Sequence, residues 1–146
     1  MEAAKQEVFS KLCKRFNWKC TPQRLAVYAC VADNRMHPDV DSIWRAVRAK
    51  LPTVTRESVY RILNEFAGHG LIWRLDNVSS ARYDSNPAPH GHFICENCGE
   101  ISDFTLSGSP EKFAGCEVPG EIRHMEIRFT GLCPECSKQN AENTAN

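Results

Sequence analysis

Residues 90–104 read HGHFICENCGEISDF, and the C-terminal half of the chain is best understood from this stretch outward. It holds two histidines, a Cys-x-x-Cys pair and an aspartate: His90, His92, Cys95, Cys98 and Asp103. A second Cys-x-x-Cys pair, Cys133 and Cys136, lies near the end of the sequence. Thiolates and the nitrogen or oxygen donors of the other residues suit different metals. The stretch therefore predicts ligands for two separate metal sites.

The four cysteines Cys95, Cys98, Cys133 and Cys136 predict a structural zinc site. Each two-residue gap folds as a tight knuckle that directs both sulfurs to one point, and four thiolates complete a closed tetrahedron. Residues 99–132 separate the pairs, whereas a minimal zinc ribbon has roughly 15–20 residues there. We therefore expect a small domain whose two ends are joined by the metal. The alternative, two redox-active dithiols, needs a thioredoxin-like βαβ setting that neither pair has.

Nitrogen and oxygen donors suggest the second metal site. Asp84, His90, His92 and Asp103 fall within twenty residues, and the two histidines, at i and i+2, point the same way along an extended segment. Imidazoles with carboxylates suit Fe²⁺, Mn²⁺ or Zn²⁺, and the carboxylates favour iron or manganese. His37 is a fifth candidate, but spacing alone does not bring it to the other four. The alternative is five ordinary surface polar residues.

Composition and charge restrict the class of protein. The chain has 146 residues, of which 42% are hydrophobic and 25% charged, as in globular proteins. It has neither a run of about eighteen apolar residues nor a secretory signal, so we expect a cytoplasmic protein whose cysteines bind metal rather than form disulfides. Residues 1–83 carry a net charge of +6 and residues 84–146 a net charge of −6. This asymmetry indicates that the first half binds a polyanion; two solvated surfaces of opposite sign explain it equally well.

Hydrophobic periodicity predicts four helices followed by a hairpin. The helices cover about 2–16, 22–33, 40–50 and 56–67, and the strands cover 71–75 and 81–83. This order is that of a winged helix-turn-helix, with the fourth helix in the recognition position and the hairpin as wing. The candidate DNA contacts are Arg24, Arg56, Ser58, Tyr60, Arg61 and Asn64. The alternative is a solvated polar helix face.

The predicted fold class is α+β, with four segments. Residues 1–83 form the winged-helix DNA-binding domain and residues 84–92 a hinge that carries metal ligands. Residues 93–136 form a small α/β domain around the zinc, with strands at 93–95, 100–104 and 122–132 and a short helix near 111–114. Residues 137–146 are polar and predicted to be a disordered tail.

Several motifs in one order resemble a known family. They are Thr21-Pro22-Gln23-Arg24, His37-Pro38, Ser58-Val59-Tyr60-Arg61, the segment from His90 to Cys95, and Cys133-Pro134-Glu135-Cys136. The chain resembles the ferric uptake regulator family of bacterial metal-dependent repressors, most closely its peroxide-response regulators. Asp103 stands where the iron-sensing branch usually has Glu. Met125 stands where that branch tends to have a histidine.

The resemblance implies a fold, partners and a mechanism. The second domain is expected to make a homodimer that binds a palindromic operator in double-stranded DNA. His37 is expected to join Asp84, His90, His92 and Asp103 around one regulatory Fe²⁺ or Mn²⁺. With iron, peroxide is expected to oxidise His37 or His90 and release the operator. The alternatives are an iron-responsive or other metal-responsive repressor, a mononuclear metal enzyme, and a zinc-stabilised interaction domain without DNA function.

Overall fold

In the computed structural model, which describes residues 2–76, 80–105, 117, 119–121 and 125–145, local capping groups set where helices begin. The first four helices are α1 Glu2–Phe16, α2 Pro22–Val31, α3 Val40–Lys50 and α4 Arg56–Gly68. Thr21, Asp39 and Thr55 precede the last three, and each side chain accepts a hydrogen bond from a backbone N–H of the first turn. A cap of this kind satisfies an N–H group that has no partner within the helix. The predicted helix starts are therefore confirmed.

The apolar faces of these helices form the core of the first unit, Met1–Asn86. Its fully buried side chains include Phe9, Val27, Val47, Val59, Leu63 and Phe66. The Phe66 ring packs edge-on to Phe9 at a centroid distance of 6.2 Å and stacks on Trp18 at 5.2 Å. This packing fixes α4 with Tyr60, Arg61 and Asn64 on its exposed side.

A short hairpin follows α4, in slightly different positions from those predicted. Strand β1 covers Trp73–Leu75 and pairs antiparallel with β2, Arg82–Asp84. β1 begins later than residue 71 because the N–H of Leu71 donates to the Phe66 carbonyl at 2.9 Å and so still closes the helix. Gly70, at φ 71°, adopts the left-handed conformation that this closure requires. Helices and hairpin together give a winged helix-turn-helix.

The second unit, Pro87–Asn146, contains a mixed sheet. Strand β3 (His90–Cys95) lies between β4 (Ile101–Thr105) and β5 (Ile127–Gly131). β3 pairs antiparallel with β4 and parallel with β5. The strand predicted over 122–132 is observed only at 127–131, and residues 122–124 lie outside the described part, as does the helix predicted near 111–114.

Two boundary predictions are wrong. Instead of a disordered tail, helix α5 covers Pro134–Thr144, because Cys133 caps its N-terminus and Pro134 occupies its first turn. The segment between strands is also shorter than the hinge predicted over 84–92, since Asp84 ends β2 and His90 begins β3. The α+β class itself is confirmed. Within the described residues, no helix is both long enough and apolar enough to cross a membrane.

Candidate metal centres and nucleic-acid interface

The four predicted zinc ligands converge on one point of the second unit. The sulfur atoms of Cys95, Cys98, Cys133 and Cys136 all lie within 4.8 Å of one another. The Sγ atoms of Cys98 and Cys133 are 3.9 Å apart. In a tetrahedral site with Zn–S bonds of about 2.3 Å, the sulfurs are about 3.8 Å apart. The observed spacing therefore fits a zinc ion.

Strand pairing explains why two pairs so distant in sequence meet. The parallel register of β3 and β5 places Cys95 beside Gly131, so the chain leaves both strands at the same end of the sheet. The first knuckle turns at Gly99, whose φ of 74° is left-handed and whose N–H donates to the Cys95 carbonyl at 2.9 Å. The second knuckle is the N-terminus of α5, where the Cys136 N–H approaches the Cys133 sulfur at 3.5 Å.

The surroundings of Cys95 favour the thiolate, which is the form that binds zinc. Its side chain is fully buried. The backbone N–H groups of Cys98 and Cys133 point at its sulfur and lower the pKa of the thiol to about 6. The Asn97 amide donates to the Cys136 sulfur at 3.2 Å. Hydrogen bonds of this kind orient and stabilise metal ligands.

The second unit also brings together three nitrogen and oxygen donors. The Nε2 atoms of His90 and His92 lie 3.1 Å apart, and the His92 Nε2 is 3.4 Å from the Asp103 carboxylate. The register pairs His92 directly with Asp103 across β3 and β4, so the sheet itself sets this arrangement. Neighbouring ligands of an ion with bonds of about 2.1 Å are about 3 Å apart. The spacing of these three groups therefore suits donors to a single metal ion.

The tautomer of His90 is consistent with ligation through Nε2. Its Nδ1 lies 2.6 Å from the Ala88 carbonyl, which can only accept, so Nδ1 carries the proton. The Nε2 atom then offers its lone pair toward His92. A ring nitrogen that donates to a carbonyl while the other binds the ion is the usual arrangement for metal-ligating histidines.

The first unit holds the remaining two candidates, His37 and Asp84, next to each other. The His37 Nε2 lies 4.0 Å from the Asp84 carboxylate, and the two side chains are only 1% and 3% exposed. His37 has a left-handed backbone, at φ 49°. Strand β2 holds this segment, since the Tyr83 N–H donates to the Pro38 carbonyl at 3.1 Å and Arg82 donates to the His37 carbonyl. Burying a carboxylate and an imidazole side by side costs folding free energy unless the groups are paired or bind a cation.

The N-terminal half of α4 carries most of the predicted DNA contacts. Tyr60, Arg61 and Asn64 are exposed along its outer side. The Tyr60 hydroxyl contacts Asn64 and Arg74, which lower its pKa. The other two residues serve partly within the unit: Ser58 takes part in the cap with Thr55, and Arg56 forms an exposed ion pair with Asp41 at 2.7 Å.

Arg24 has a role that its position in the sequence did not indicate. Its guanidinium forms a two-pronged ion pair with Glu65 of α4, with its Nη2 2.9 and 2.8 Å from the two carboxylate oxygens, and its Nη1 donates to the Lys19 carbonyl at 3.0 Å. A cation held in this way offers little net charge to a phosphate. The structure thus gives Arg24 a function in joining α2 to α4.

Sequence reasoning missed Arg74. This residue lies on β1 of the wing and contacts the Tyr60 hydroxyl of α4. Its neighbour Leu75 is 1% exposed, whereas Arg74 is exposed. The alternation along Trp73–Leu75 was the available signal, because successive strand residues face opposite sides. Arg74, which also forms an exposed ion pair with Asp76 at 3.3 Å, extends the hydrogen-bonding surface from α4 onto the wing.

The chain is similar to known proteins over most of its length. The family model described as "Ferric uptake regulator family" matches residues 15–113. The peroxide operon regulator of Bacillus subtilis is 35% identical over 124 residues, which cover 83% of this chain and 86% of that protein. The peroxide-responsive repressor PerR of Staphylococcus epidermidis is 32% identical over 83% of each chain.

Solved structures show the same fold. The ferric uptake regulator Fur of Helicobacter pylori superimposes with a TM-score of 0.73 at 24% identity and covers 94% of both chains. The peroxide stress regulator of Campylobacter jejuni superimposes with a TM-score of 0.66 at 24% identity and covers 86% of this chain and 97% of that one. At this level of identity the likeness bears on the fold alone.

Proposed function

Because the chain belongs to the ferric uptake regulator family, as its motifs predicted, we propose that it is a metal-dependent, DNA-binding transcriptional repressor that responds to peroxide. The observation that carries the proposal is the presence of two chemically distinct donor sets. One is a closed set of four sulfurs, and the other consists of imidazoles and carboxylates beside or opposite one another. The first suits a permanent ion and the second an exchangeable one.

The four cysteines hold a structural zinc. With four sulfur ligands the coordination is complete, so no position is left for a substrate. The ion ties the knuckle after β3 to the N-terminus of α5. The free energy of binding a structural zinc, about 10–16 kcal/mol in small peptides, exceeds the stability of a typical domain. We therefore assign the zinc to folding of the second unit.

His37, Asp84, His90, His92 and Asp103 bind one regulatory Fe²⁺ or Mn²⁺. The support is the donor chemistry of each half, taken by itself, together with the family resemblance. His37 and Asp84 are neighbours within the first unit, and His90, His92 and Asp103 are neighbours within the second. An ion shared by both halves couples the DNA-binding unit to the second unit. A coupling free energy on the order of 3 kcal/mol changes operator occupancy about a hundredfold.

The repressor acts as a homodimer on a palindromic operator. Strand β5 is at an edge of the sheet in the described part of the second unit, and Phe129 on that strand is 57% exposed. An exposed apolar side chain on a sheet edge favours association with a second copy. Two-fold symmetry then places one α4 helix in each operator half-site. The contacts we propose for α4 are Arg56, Ser58, Tyr60, Arg61 and Asn64.

Peroxide is the signal that we propose for the regulatory site. Iron held beside the imidazoles of His37 and His90 would pass one electron to peroxide, which breaks the O–O bond, and would take one electron back from the ring that is oxidised. One of these rings gains a single oxygen atom, and the remaining oxygen of the peroxide leaves as water. An oxidised imidazole is a poorer ligand, so the ion is lost and the operator is released. Two features support this proposal: the chain is similar to peroxide regulators, and it has Asp103 where the iron-sensing branch usually has Glu.

The test compares the Fe²⁺ and Mn²⁺ forms of the anaerobically purified, zinc-loaded protein. A small dose of peroxide should add one oxygen to the peptide that contains His37 or His90 in the Fe²⁺ form alone, with loss of operator binding. Unmodified histidines, with DNA release that depends only on free iron, would instead indicate an iron-responsive repressor. Oxidised cysteines with loss of zinc would make the thiols the sensor.

A further inference from the structure

A residue of strand β2 that is not a proposed metal ligand binds the backbone around His37. Arg82, on this strand, donates through Nε to the His37 carbonyl and through Nη2 to the Met36 carbonyl at 3.4 Å. One guanidinium thus binds two successive carbonyl groups. Arginine suits this task because its donors are fixed in a rigid planar fork.

Two further contacts attach the same segment to β2, and a third attaches it to Ser80, which precedes the strand. The N–H of Tyr83 donates to the Pro38 carbonyl at 3.1 Å, and Asp39 forms an isolated antiparallel bridge with Arg82. The Ser80 hydroxyl donates to the Asp39 carboxylate at 3.4 Å. These contacts and one isolated bridge at Asp39 hold residues 36–39 in place immediately before helix α3.

The backbone of His37 needs such support. Its φ of 49° lies in the left-handed region, which costs energy for a residue with a side chain and persists only where the surroundings enforce it. The group that enforces it at the carbonyl of His37 is the Arg82 guanidinium. A ligand whose backbone is strained moves readily when that support is lost.

Arg82 and Asp84 act on His37 from the same side of β2. Side chains two residues apart on a strand share a face, whereas Tyr83 between them is turned the other way and is 1% exposed. Arg82 thus holds the backbone of His37 while the Asp84 carboxylate lies 4.0 Å from its ring. The orientation of the imidazole toward Asp84 depends on where Arg82 holds its carbonyl.

We infer that Arg82 is a positioning residue for the regulatory metal site, setting the geometry in which His37 and Asp84 offer their donors. The inference rests on the proposed function, since it concerns the same metal. Arg82 itself has no lone pair to give and does not bind the ion. Residues that orient metal ligands in this way typically contribute 10–100-fold to metal affinity.

The experiment measures Mn²⁺ binding by calorimetry on the zinc-loaded full chain, with Arg82→Met, Arg82→Lys and the control Arg45→Met. Arg45 is an exposed arginine of α3 whose Nε donates to the Asp41 carbonyl of its own helix, so its replacement removes the same charge and leaves residues 36–39 untouched. We expect Arg82→Met to weaken Mn²⁺ binding about 10-fold or more. Arg82→Lys should recover part of the affinity, because a single ammonium can still reach one carbonyl. Arg45→Met should bind as the wild type does.

A second readout needs no regulatory metal. Amide hydrogen exchange in the zinc-only protein should accelerate at Met36, His37, Asp39 and Tyr83 in Arg82→Met, while the amides of α1 and α4 stay protected. If Arg82→Met fails to fold, the Mn²⁺ affinity of Arg82→Lys tests the positioning role. Wild-type Mn²⁺ affinity in the folded Arg82 variants, or an equal loss in Arg45→Met, would overturn the positioning role. Absence of Mn²⁺ binding by the wild-type protein would overturn the proposed function instead.

Discussion

Gly91, between the two histidines of β3, is a position where a single added methyl group should destabilise the second unit. It pairs with Phe104 of β4 across the sheet. A Cβ atom added at Gly91 would lie 2.1 Å from Cζ of Phe104 and 2.6 and 2.7 Å from its two neighbouring ring carbons. The Phe104 ring also stacks on Phe129 of β5, with centroids 5.2 Å apart and planes 8° from parallel. The ring thus covers the glycine and cannot stay where it is in Gly91→Ala.

The expected change in the free energy of unfolding is the balance of two effects. Forcing an extra methyl into packed structure typically costs about 1–3 kcal/mol. Replacing a strand glycine by alanine returns about 0.5–1 kcal/mol, because less backbone freedom is lost on folding. Phe104 is partly exposed, so its ring can move outward and the cost should fall in the middle of its range. We expect Gly91→Ala to destabilise the second unit by about 1 kcal/mol.

The assay must report unfolding of the second unit separately from that of the first. All three tryptophans, Trp18, Trp44 and Trp73, belong to the first unit, so their fluorescence reports its unfolding and serves as an internal reference. Release of zinc to a chromogenic chelator during denaturant titration reports the second unit. Gly91→Ala should lower the midpoint of zinc release and leave the tryptophan transition unchanged.

A double-mutant cycle and a control variant test whether the Phe104 ring causes the destabilisation. In a Phe104→Leu background the obstructing ring is absent, so Gly91→Ala should cost nothing or stabilise slightly. Gly131→Ala is the matched control, because Gly131 is also a strand glycine of the second unit and a Cβ there would lie at an ordinary contact distance of 3.6 Å from the Phe93 ring. The explanation fails if Gly91→Ala releases zinc at the wild-type midpoint, or if its effect persists unchanged beside Leu at position 104.

Three further predictions concern the zinc site and the first unit. Cys95→Ser should give less than stoichiometric zinc and a monomeric or aggregated protein, and a zinc-free stable dimer by light scattering would contradict the structural role. Arg24→Ala and Glu65→Gln should each lower the stability of the first unit by about 1 kcal/mol in thermal unfolding followed by tryptophan fluorescence, since they break one partly exposed ion pair. If Arg24→Ala, but not Glu65→Gln, lowered the salt dependence of operator binding, Arg24 would be assigned a phosphate contact. Arg61→Ala should cost about 1–3 kcal/mol of operator binding and relax preference at one base pair, as measured with a panel of single-base operator variants.

The features that the sequence predicted well are those with local causes. Helices α2 and α4 begin at the expected residues because Thr21 and Thr55 cap their own first turns. The four zinc cysteines were identified because each knuckle is a local turn, and the metal needs only that the two pairs meet. The winged helix-turn-helix likewise followed from the period and order of neighbouring segments.

The features that were missed depend on distant partners. Arg24 was predicted as a DNA contact, and its ion pair with Glu65 was missed because that carboxylate lies 41 residues away. Parallel pairing of β3 with β5 has no local signal, because the strands are joined by a long crossover. The C-terminal helix was missed because its residues are polar, and its start depends on Cys133, whose side chain is buried with the other cysteines.

Strand β3 links the two donor sets of the second unit, so we expect the zinc to support the proposed regulatory site as well as folding. His90 and His92 lie toward one end of the strand and Cys95 at its other end. Side chains alternate along a strand, so a shift of one residue in pairing would turn both histidines to the opposite face. The zinc fixes the end of β3 relative to Gly131 of β5, and the pairing with β4 then sets His92 opposite Asp103. A protein that has lost its zinc should therefore lose the regulatory site as well, even though the two metals share no ligand.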